Sequence, residues 1–412
     1  MRRLLFSKSL TRINRYMKRN EILLILTLTA IQFTHILDVM IIMPLGKQFM
    51  EIFDISPAEF SFIVSIYAYS AAVSGFFSAF FLDRFDRKKA ILILYFGFTI
   101  STFACAMAPD YLFLLAARTI SGAFGGIMTA VILSIIGDVF PYEKRGQATG
   151  YVMMAFSVAS VVGIPAGIYI AAKYDWRMTF IVVGAIASVF LIFTYYFLPP
   201  MTGHLSKGKA EKNPIKILRP IFTDNNQLSA LLFSMTLIFG HFAIIPFIAP
   251  YMQFNIGFTD EEISYVYFVG GLFSVVCLPA VGNLADRFGK KRVFTIGTIL
   301  AIGSIFWITN LQTEAIWVAL MATSSYFVAS GSRNVPATAI VTSVVKSETR
   351  GSFMSIRTSV NQFAIGASSQ IAGIIIIENA DGTLGNYPYV GLFAICMSLI
   401  ALTMVYRLKI VS

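Results

Sequence analysis

The chain has 412 residues, is 57% hydrophobic and carries only 13% charged residues, with a formal net charge of +11. Soluble globular domains have roughly 25% charged residues, so this composition excludes an ordinary soluble domain and indicates a bilayer as the surrounding medium. The positive charge does not indicate a nucleic-acid partner, because the basic residues lie in short loops between apolar runs and form no arm or patch.

The chain begins with a basic segment that leads directly into an apolar run of full membrane length. No small-residue cleavage site follows, so we interpret this run as an uncleaved first helix. A membrane span needs about 20 apolar residues when helical, and only helices or closed barrels satisfy their backbone there. The apolar runs predict an all-α membrane protein with twelve spans, at 21–45, 59–82, 89–108, 111–138, 148–172, 178–198, 227–252, 262–283, 291–310, 314–343, 351–377 and 388–406.

The distribution of lysine and arginine predicts the orientation of these spans. Of the 32 basic residues, 26 lie on the side of the N-terminus, three lie on the other side and three lie inside spans. By the positive-inside rule, both termini are expected in the cytoplasm of an integral plasma (inner) membrane protein. The polar, proline-containing segment 199–226 is the expected cytoplasmic linker between two six-helix halves, 1–198 and 227–412.

The two halves contain matching sequence features. Residues 83–89 read DRFDRKK and residues 286–292 read DRFGKKR, and a capping-box signal precedes each at the same offset, at 56–59 and 259–262. Two like-oriented halves with a binding site near the membrane midplane are one way in which large transporters are built. The repeat therefore predicts a pseudo-symmetric pair of helical bundles.

Asp38 is the only acidic residue that falls well inside a predicted span, and Arg118 lies at a similar depth in the fourth span. A charge in the bilayer usually marks a function or a required partner, so we expect these residues to pair. His35, three residues before Asp38, shares its helix face, and imidazole exchanges protons near neutral pH. Asp38, Arg118 and His35 are candidate proton-coupling residues; the alternative is a fixed ion pair that only orients two helices.

Other polar residues inside the spans are candidates for a substrate cavity. His241 matches His35, since each stands nine residues before a proline. Either imidazole can line the cavity or can form a hydrogen bond with a neighbouring helix. The arginines either face the cavity and attract anions or extend to the interface. Asn361 and Gln362 either bind a ligand or pack between helices. The cavity candidates are His35, His241, Asn361, Gln362, Arg333 and Arg357.

The loop after the second helix of each half resembles the signature of the major facilitator superfamily, G-x-x-x-D-R-x-G-R/K-K. Residues 282–291 fit it throughout, including Gly282, Asp286, Arg287 and Gly289. The first copy keeps its charged residues but has Ala79 and Asp86 in place of the two glycines, which would soften that loop. The retained residues are Asp83, Arg84, Arg87 and Lys88.

Two further segments resemble motifs of the twelve-helix drug and sugar efflux branch of this superfamily. These are Arg118–Gly122, similar to an arginine motif tied to proton coupling, and Gly163–Gly167 around Pro165, similar to an antiporter motif. The resemblance implies proton-driven export of a small organic molecule. By pseudo-symmetry, Asp83 and Asp286 are expected to face the N-termini of helices 11 and 5, respectively, and to gate the cytoplasmic side; the alternative is that these loops only set the topology. Gly163, Pro165 and Gly167 are expected either to close against the second helix or simply to permit close helix packing.

Three functions remain open at this point: a proton-coupled exporter of a drug or sugar-like metabolite, a proton symporter that imports a possibly anionic solute, and a membrane protein without transport activity. An enzyme is not expected, since the sequence has no nucleophile–base constellation and no nucleotide-binding glycine loop. The three cysteines, Cys105, Cys277 and Cys396, lie in apolar runs, and no metal or other cofactor is expected. The expected partners are lipid, protons and a small-molecule substrate, with a monomer as the functional unit.

Overall fold

A computed structural model describes residues 19–202, 218, 221–312, 315–345 and 350–411. Within these residues the chain is almost entirely helical, with twelve long helical segments in chain order. They are α1 (Arg19–Ile41), α2 (Pro57–Phe81), α3 (Arg87–Ala106), α4 (Tyr111–Val139), α5 (142–173), α6 (Trp176–Phe197), α7 (225–256), α8 (Asp260–Phe288), α9 (Lys290–Thr309), α10 (Ile316–Thr342), α11 (Arg350–Ile375) and α12 (Tyr387–Arg407).

Ten of these segments are long and apolar enough to cross a membrane. The two others, α10 and α11, have the necessary length but more polar residues. The prediction of an all-α membrane protein is confirmed, whereas the count of twelve spans remains a prediction. The division into two halves at 199–226 also remains a prediction, because most of that linker lies outside the described residues.

Both predicted capping boxes are present at the starts of α2 and α8. The Ser56 hydroxyl accepts the backbone N–H of Glu59 at 3.3 Å, and the Glu59 carboxylate accepts the backbone N–H of Ser56 at 2.8 Å. Thr259 and Glu262 repeat this exchange in α8. Because the first backbone N–H groups of a helix lack intrahelical partners, these reciprocal bonds fix where each helix begins.

Prolines modify three predicted spans, of which the first is shortened and the fifth and seventh are irregular but remain single candidate spans. The first helix ends at Ile41 instead of residue 45, and a separate short helix, Gly46–Phe53, follows Pro44. The fifth segment contains a π-turn at Ala159–Gly163, directly before Pro165. The seventh breaks after Phe242 and resumes at Ile245 before Pro246. A proline provides no N–H and its ring displaces the preceding turn, which explains each interruption.

The helix of the eleventh span ends two residues before the predicted end at residue 377. The helix α11 ends at Ile375, and the chain then forms a small antiparallel hairpin of two two-residue strands, β1 (Ile377–Glu378) and β2 (Leu384–Gly385). Gly382 in the turn has φ of +79°, which residues with a Cβ rarely adopt. Hydropathy alone did not separate this polar hairpin from the apolar residues before it.

The packing of the core differs between the two sides of the molecule. We call the side where α1 begins and α12 ends the proximal side, and the opposite side the distal side. On the distal side, residues of both halves, such as Phe60, Trp176, Phe247 and Tyr387, form one continuous apolar cluster. Towards the proximal side the core divides into two clusters, one from residues 24–201 and one from residues 221–408. The two halves are therefore joined distally and apart proximally.

Two helix pairs make the junction between the halves. In the pair α2–α11, the Ser65 hydroxyl donates to the Gly366 carbonyl at 2.8 Å, and the Tyr69 hydroxyl donates to the Gln370 side-chain oxygen at 2.7 Å. In the pair α5–α8, the Ser264 hydroxyl donates to the carbonyl of Pro165 at 3.1 Å. All of these contacts lie in the distal parts of the helices, in agreement with the joined core on that side.

Candidate functional site

Asp38 on α1 and Arg118 on α4 form a buried ion pair, as the sequence predicts. The Arg118 Nη1 atom lies 2.7 Å from Asp38 Oδ2, and the side chains of Arg118 and Asp38 are 1% and 0% exposed. The Thr102 hydroxyl of α3 donates to the other carboxylate oxygen, Oδ1, at 3.2 Å. Within the described residues, Asp38 is the only carboxylate that is buried. Its charge is therefore balanced by one cation and one hydroxyl donor in a medium without bulk water.

Two aromatic side chains complete the surroundings of this pair. The ring of Tyr67 on α2 lies under the Arg118 guanidinium, 4.4 Å from Cζ to the ring centroid, a distance typical of a cation–π contact. His35 lies one turn below Asp38 on α1, and its ring packs edge-on against Phe98 at a centroid distance of 5.8 Å. The structure thus places the three predicted coupling residues, Asp38, Arg118 and His35, in one region.

The second half contains a buried arginine in a different setting. Arg333 on α10 is 0% exposed; Nη1 donates to the Ser398 hydroxyl at 2.6 Å and Nη2 to the Gly240 carbonyl at 2.9 Å. No carboxylate of the described residues lies within ion-pair distance of it. Arg333 therefore does not extend to the interface, which was one of the two alternatives for it.

The remaining cavity candidates lie between helices. His241 Nδ1 is 3.1 Å from the Tyr326 hydroxyl, which also donates to the His241 carbonyl at 2.9 Å. Arg357 Nε donates to the Ser234 hydroxyl at 3.0 Å. For both residues the structure favours a role in packing neighbouring helices together. Asn361 and Gln362 are half-buried on α11.

A cavity of about 470 Å³ lies between the two halves on the proximal side. It is bordered by the proximal parts of α2, α4 and α11, and its lining has seven serine or threonine residues and no ionisable side chain. None of the six predicted cavity residues borders it. The lining residues are Ala71, Gly75, Ser78, Phe80, Leu82, Gly126, Thr129, Ala130, Leu133, Ser134, Gly351, Ser352, Met354, Ser355, Ile356, Thr358 and Ser359.

The two copies of the charged loop have different local structures. In the second copy Gly289 joins α8 to α9 with φ of +95°, a conformation that favours glycine. In the first copy Asp86 has φ of −57° and its carboxylate accepts the backbone N–H groups of Lys88 at 2.9 Å and Met201 at 3.0 Å. Asp86 thus caps α3 and ties the loop to the residues after α6, and these bonds oppose the softening that was expected of this loop.

The charged residues of these loops also differ in burial. Arg87 is buried, with Nε 3.1 Å from Asp138 Oδ2 and Nη1 bonded to the Leu82 carbonyl at 3.1 Å. Arg84, Asp286 and Arg287 are exposed. The Asp83 side chain lies outside the described residues. Gly282 has space beside it, since an added Cβ would lie 3.9 Å from Val335. The proximal separation of the halves explains why Asp286 is solvent-exposed here and does not contact α5.

The glycines around Pro165 lie against the first helix, which favours the packing alternative over closure against the second helix. An added Cβ at Gly163 would lie 2.9 Å from Leu37, and one at Gly167 would lie 2.5 Å from Ile41. Both positions therefore face α1, where the missing side chains allow α1 and α5 to pack closely. This segment also contacts the other half, where the Pro165 carbonyl accepts the hydroxyl of Ser264 at 3.1 Å.

Sequence reasoning missed several residues of the site. Tyr67 and Thr102 contact the ion pair, yet they stand in apolar runs in which aromatic and hydroxyl residues are common. The serines of the cavity were likewise not singled out. Their helical spacing contains a usable signal: Ser352, Ser355 and Ser359 recur at intervals of three and four residues on one face of α11.

Comparison with known proteins connects this geometry to one family. The family profile described as "Major Facilitator Superfamily" matches residues 28–247 and 230–411. "Multidrug resistance protein 2" of Bacillus subtilis (strain 168) is 24% identical over 307 residues, which are 72% of this chain and 75% of the relative. A "Probable sugar efflux transporter" of Helicobacter pylori (strain G27) is 25% identical over 241 residues, 58% of this chain and 60% of that protein.

Solved structures share the fold. The crystal structure of a D-xylose-proton symporter superposes with a TM-score of 0.75 at 17% identity, covering 94% of this chain and 97% of the other. An inward-facing, unoccupied bacterial homolog of the human lysosomal transporter Spinster superposes with a TM-score of 0.72, also at 17% identity, covering 95% of both chains. At this level of identity the likeness concerns the fold alone.

Proposed function

The chain belongs to the Major Facilitator Superfamily, and from this we propose that it is a proton-coupled exporter of a small organic molecule, working by alternating access. Members of this family are membrane transporters and not enzymes. The observation that carries the proposal is the buried Asp38–Arg118 pair. A carboxylate that is ion-paired in one state and protonated in another can couple proton movement to a change of conformation.

Asp38 carries the coupling proton, and Arg118 stabilises the carboxylate when the proton has left. Thr102 holds one carboxylate oxygen and Tyr67 holds the guanidinium, so the pair is positioned from α2 and α3 as well as from α1 and α4. Protonation of Asp38 neutralises one member of the pair and weakens the attraction between α1 and α4. That change in helix contacts is the step that links the proton to the conformational cycle.

The proximal side is cytoplasmic, because the basic loops lie there. The cavity then opens towards the cytoplasm, while the distal cluster closes the outer side. A lining of hydroxyl and apolar groups without ionisable side chains suits an uncharged molecule that forms hydrogen bonds. This favours a sugar-like or neutral amphipathic substrate over an anion, and it favours the cavity of α2, α4 and α11 over Arg333 and Arg357 as the first binding site.

The test uses purified protein in vesicles that contain a pH-sensitive dye. Ethidium, D-xylose and benzoate are added outside in turn, and the lumenal pH is followed. An antiporter expels protons as substrate enters, so the lumenal pH rises; a symporter lowers it, which would support import. We expect a rise with at least one compound, lost in Asp38→Asn and retained in Glu51→Gln, a control at an exposed carboxylate of the same half.

Substrate exchange without a pH gradient separates coupling from binding. Asp38→Asn should still exchange labelled substrate across the membrane, because alternating access itself needs no net proton transfer. Proton movement in Asp38→Asn equal to that of the natural chain would move the coupling site elsewhere, with His35 as the next candidate.

A further inference from the structure

Several polar atoms between α1, α2 and α4 are buried without a hydrogen-bond partner among the described residues. They are the two ring nitrogens of His35, the hydroxyl oxygens of Tyr67 and Ser121, and Nε of Arg118. A polar group that is buried without a hydrogen-bond partner costs roughly 1–3 kcal/mol of stability. Where no bulk water is present, the protein or its bound molecules must provide that partner. A cluster of such atoms in one place indicates that small polar molecules occupy the space between them.

The packing around Gly125 on α4 shows where His35 and Tyr67 meet this helix. A Cβ added at Gly125 would overlap the Tyr67 hydroxyl and would lie 2.8 Å from His35 Nε2. Both atoms therefore border the same point, and yet they form no hydrogen bond with each other. A water molecule needs two to four polar partners, and these two groups, with the unpartnered atoms of α4 nearby, supply them.

The same polar face continues from the ion pair to the cavity. On α1, Asp38, His35 and Gln32 follow one another at intervals of three residues and so share one face. On the neighbouring α4, Arg118 and Thr129 mark the two ends of the facing stripe. The ion pair joins the two helices at one end of this stripe, and the contact of Gln32 Nε2 with Thr129 Oγ1 at 3.5 Å joins them at the other end. Thr129 borders the proximal cavity.

We propose that this stripe is a hydrated proton route that connects Asp38 with the proximal cavity, through water held between His35 and Tyr67 beside Gly125 and past the Gln32–Thr129 contact. The proposal rests on the proposed role of Asp38 as proton carrier. The Asp38 carboxyl releases its proton to the bound water, and His35 accepts a proton on one ring nitrogen and releases one from the other. The proton leaves as hydronium in the cavity, and Asp38 remains as a carboxylate paired with Arg118.

The bound water is tested first, by hydroxyl-radical labelling with pulsed X-rays, in which radicals formed from ordered water oxidise adjacent side chains. His35 and Tyr67 should be labelled although they are buried. In Gly125→Ala the added methyl group displaces the Tyr67 hydroxyl and the His35 ring, so a water held between them is lost and labelling of both residues should fall several-fold. Gly137→Ala is the matched control on the same helix, because an added Cβ there meets nothing within 4 Å. Equal labelling in the two variants would overturn the proposal.

Tyr67→Phe adds no bulk and covers the case in which Gly125→Ala does not fold. It removes one partner of the water, so labelling of His35 should fall several-fold. Size-exclusion chromatography confirms that each variant is folded. Unchanged labelling of His35 in Tyr67→Phe would contradict a water held between the two side chains.

The route itself is tested by infrared difference spectroscopy after a pH jump. The carboxyl band of protonated Asp38 is identified by its loss in Asp38→Asn, and its rise should be several-fold slower in Gly125→Ala and Gln32→Leu than in Gly137→Ala. Equal rates would overturn the route while leaving Asp38 as the proton carrier. If the natural chain shows no such band, the proposed function fails as well, even where the labelling detects water.

Discussion

Among the described residues, each half of the molecule buries one arginine in the interior of a membrane span, Arg118 in α4 and Arg333 in α10, but the two halves balance its charge in different ways. Arg118 pairs with the carboxylate of Asp38 at 2.7 Å. Arg333 donates to the Gly240 carbonyl and the Ser398 hydroxyl instead. Gly240 lies two residues before the end of the first helical segment of α7, where carbonyl groups carry partial negative charge. The break in α7 therefore places a carbonyl with partial negative charge beside Arg333, at the place where Arg118 has the Asp38 carboxylate.

The partner of Arg118 can change its charge, whereas the partners of Arg333 cannot. A carboxylate can take up a proton and lose its charge, whereas a carbonyl and a hydroxyl keep their character over the whole physiological pH range. The arginines also differ in depth: at 1.5 Å per residue, Arg118 lies about 10 Å from the distal end of α4 and Arg333 about 25 Å from that of α10. Although the halves contain matching sequence features, among the described residues only the first half buries an arginine together with a carboxylate.

The largest effect is expected from Arg118→Met, which leaves a buried carboxylate without its cation. Breaking a buried ion pair costs about 3–5 kcal/mol. Unfolding in mixed micelles with increasing SDS, followed by circular dichroism, should show this loss. The double variant Asp38→Asn/Arg118→Met should recover most of it, because no buried charge is left unpaired. If the double variant is as unstable as the single one, the pair does not determine the stability of this region.

A smaller effect is expected from Arg333→Met, because its partners are neutral. Hydrogen bonds to a charged group contribute about 1.5–3 kcal/mol, and the apolar methionine avoids the desolvation of a guanidinium, so the net loss should be about 2 kcal/mol. The measurement is the same SDS titration, with Ser398→Ala as a variant that removes only one partner and should lose less. A loss as large as that of Arg118→Met would mean that Arg333 has an anionic partner.

The ion pair could be predicted from the sequence, whereas the position of Arg333 could not. Asp38 and Arg118 stand out because each is a charge inside an apolar run, and a charge of each sign at the same depth indicates a pair. The depth of Arg333 was equally clear from the sequence. Its hydrogen-bond partners, however, depend on how α10 is rotated and on a break in α7 that leaves a carbonyl available. Both are properties of packing between distant parts of the chain.

The cavity and the helix breaks show the same limit. Pro44, Pro165 and Pro246 are visible in the sequence, but whether a proline ends a helix, forms a π-turn or starts a new segment depends on the neighbouring helices. The cavity lies at the proximal side because the distal apolar groups of both halves merge into one cluster. The amphipathic pattern of single helices does not contain this information, and the predicted cavity residues were accordingly chosen by their polar character, their depth and, for the histidines, the match between the halves.

The comparison of the halves extends to their charged loops, where the expected effects are smaller. Gly289→Ala should destabilise the second half by about 1–2 kcal/mol, since residues other than glycine are strained at positive φ. An added Cβ meets nothing within 4 Å, so the effect comes from the backbone conformation alone. SDS titration measures it, with Gly303→Ala, a helical glycine with equally open surroundings, as the control. No loss, or a gain as in the control, would contradict the strained turn.

The smallest effect is expected in the first loop, where Asp86 replaces the glycine. Asp86→Ala removes an N-cap, which typically costs about 1 kcal/mol, whereas glycine at a cap position costs only a few tenths. Asp86→Gly should therefore be less harmful than Asp86→Ala, although both lose the bond from the Met201 N–H. The difference between the two variants measures the cap, and the loss that they share measures the tie to Met201. If glycine is the more harmful replacement, the rigidity of this loop depends on its backbone and not on the carboxylate.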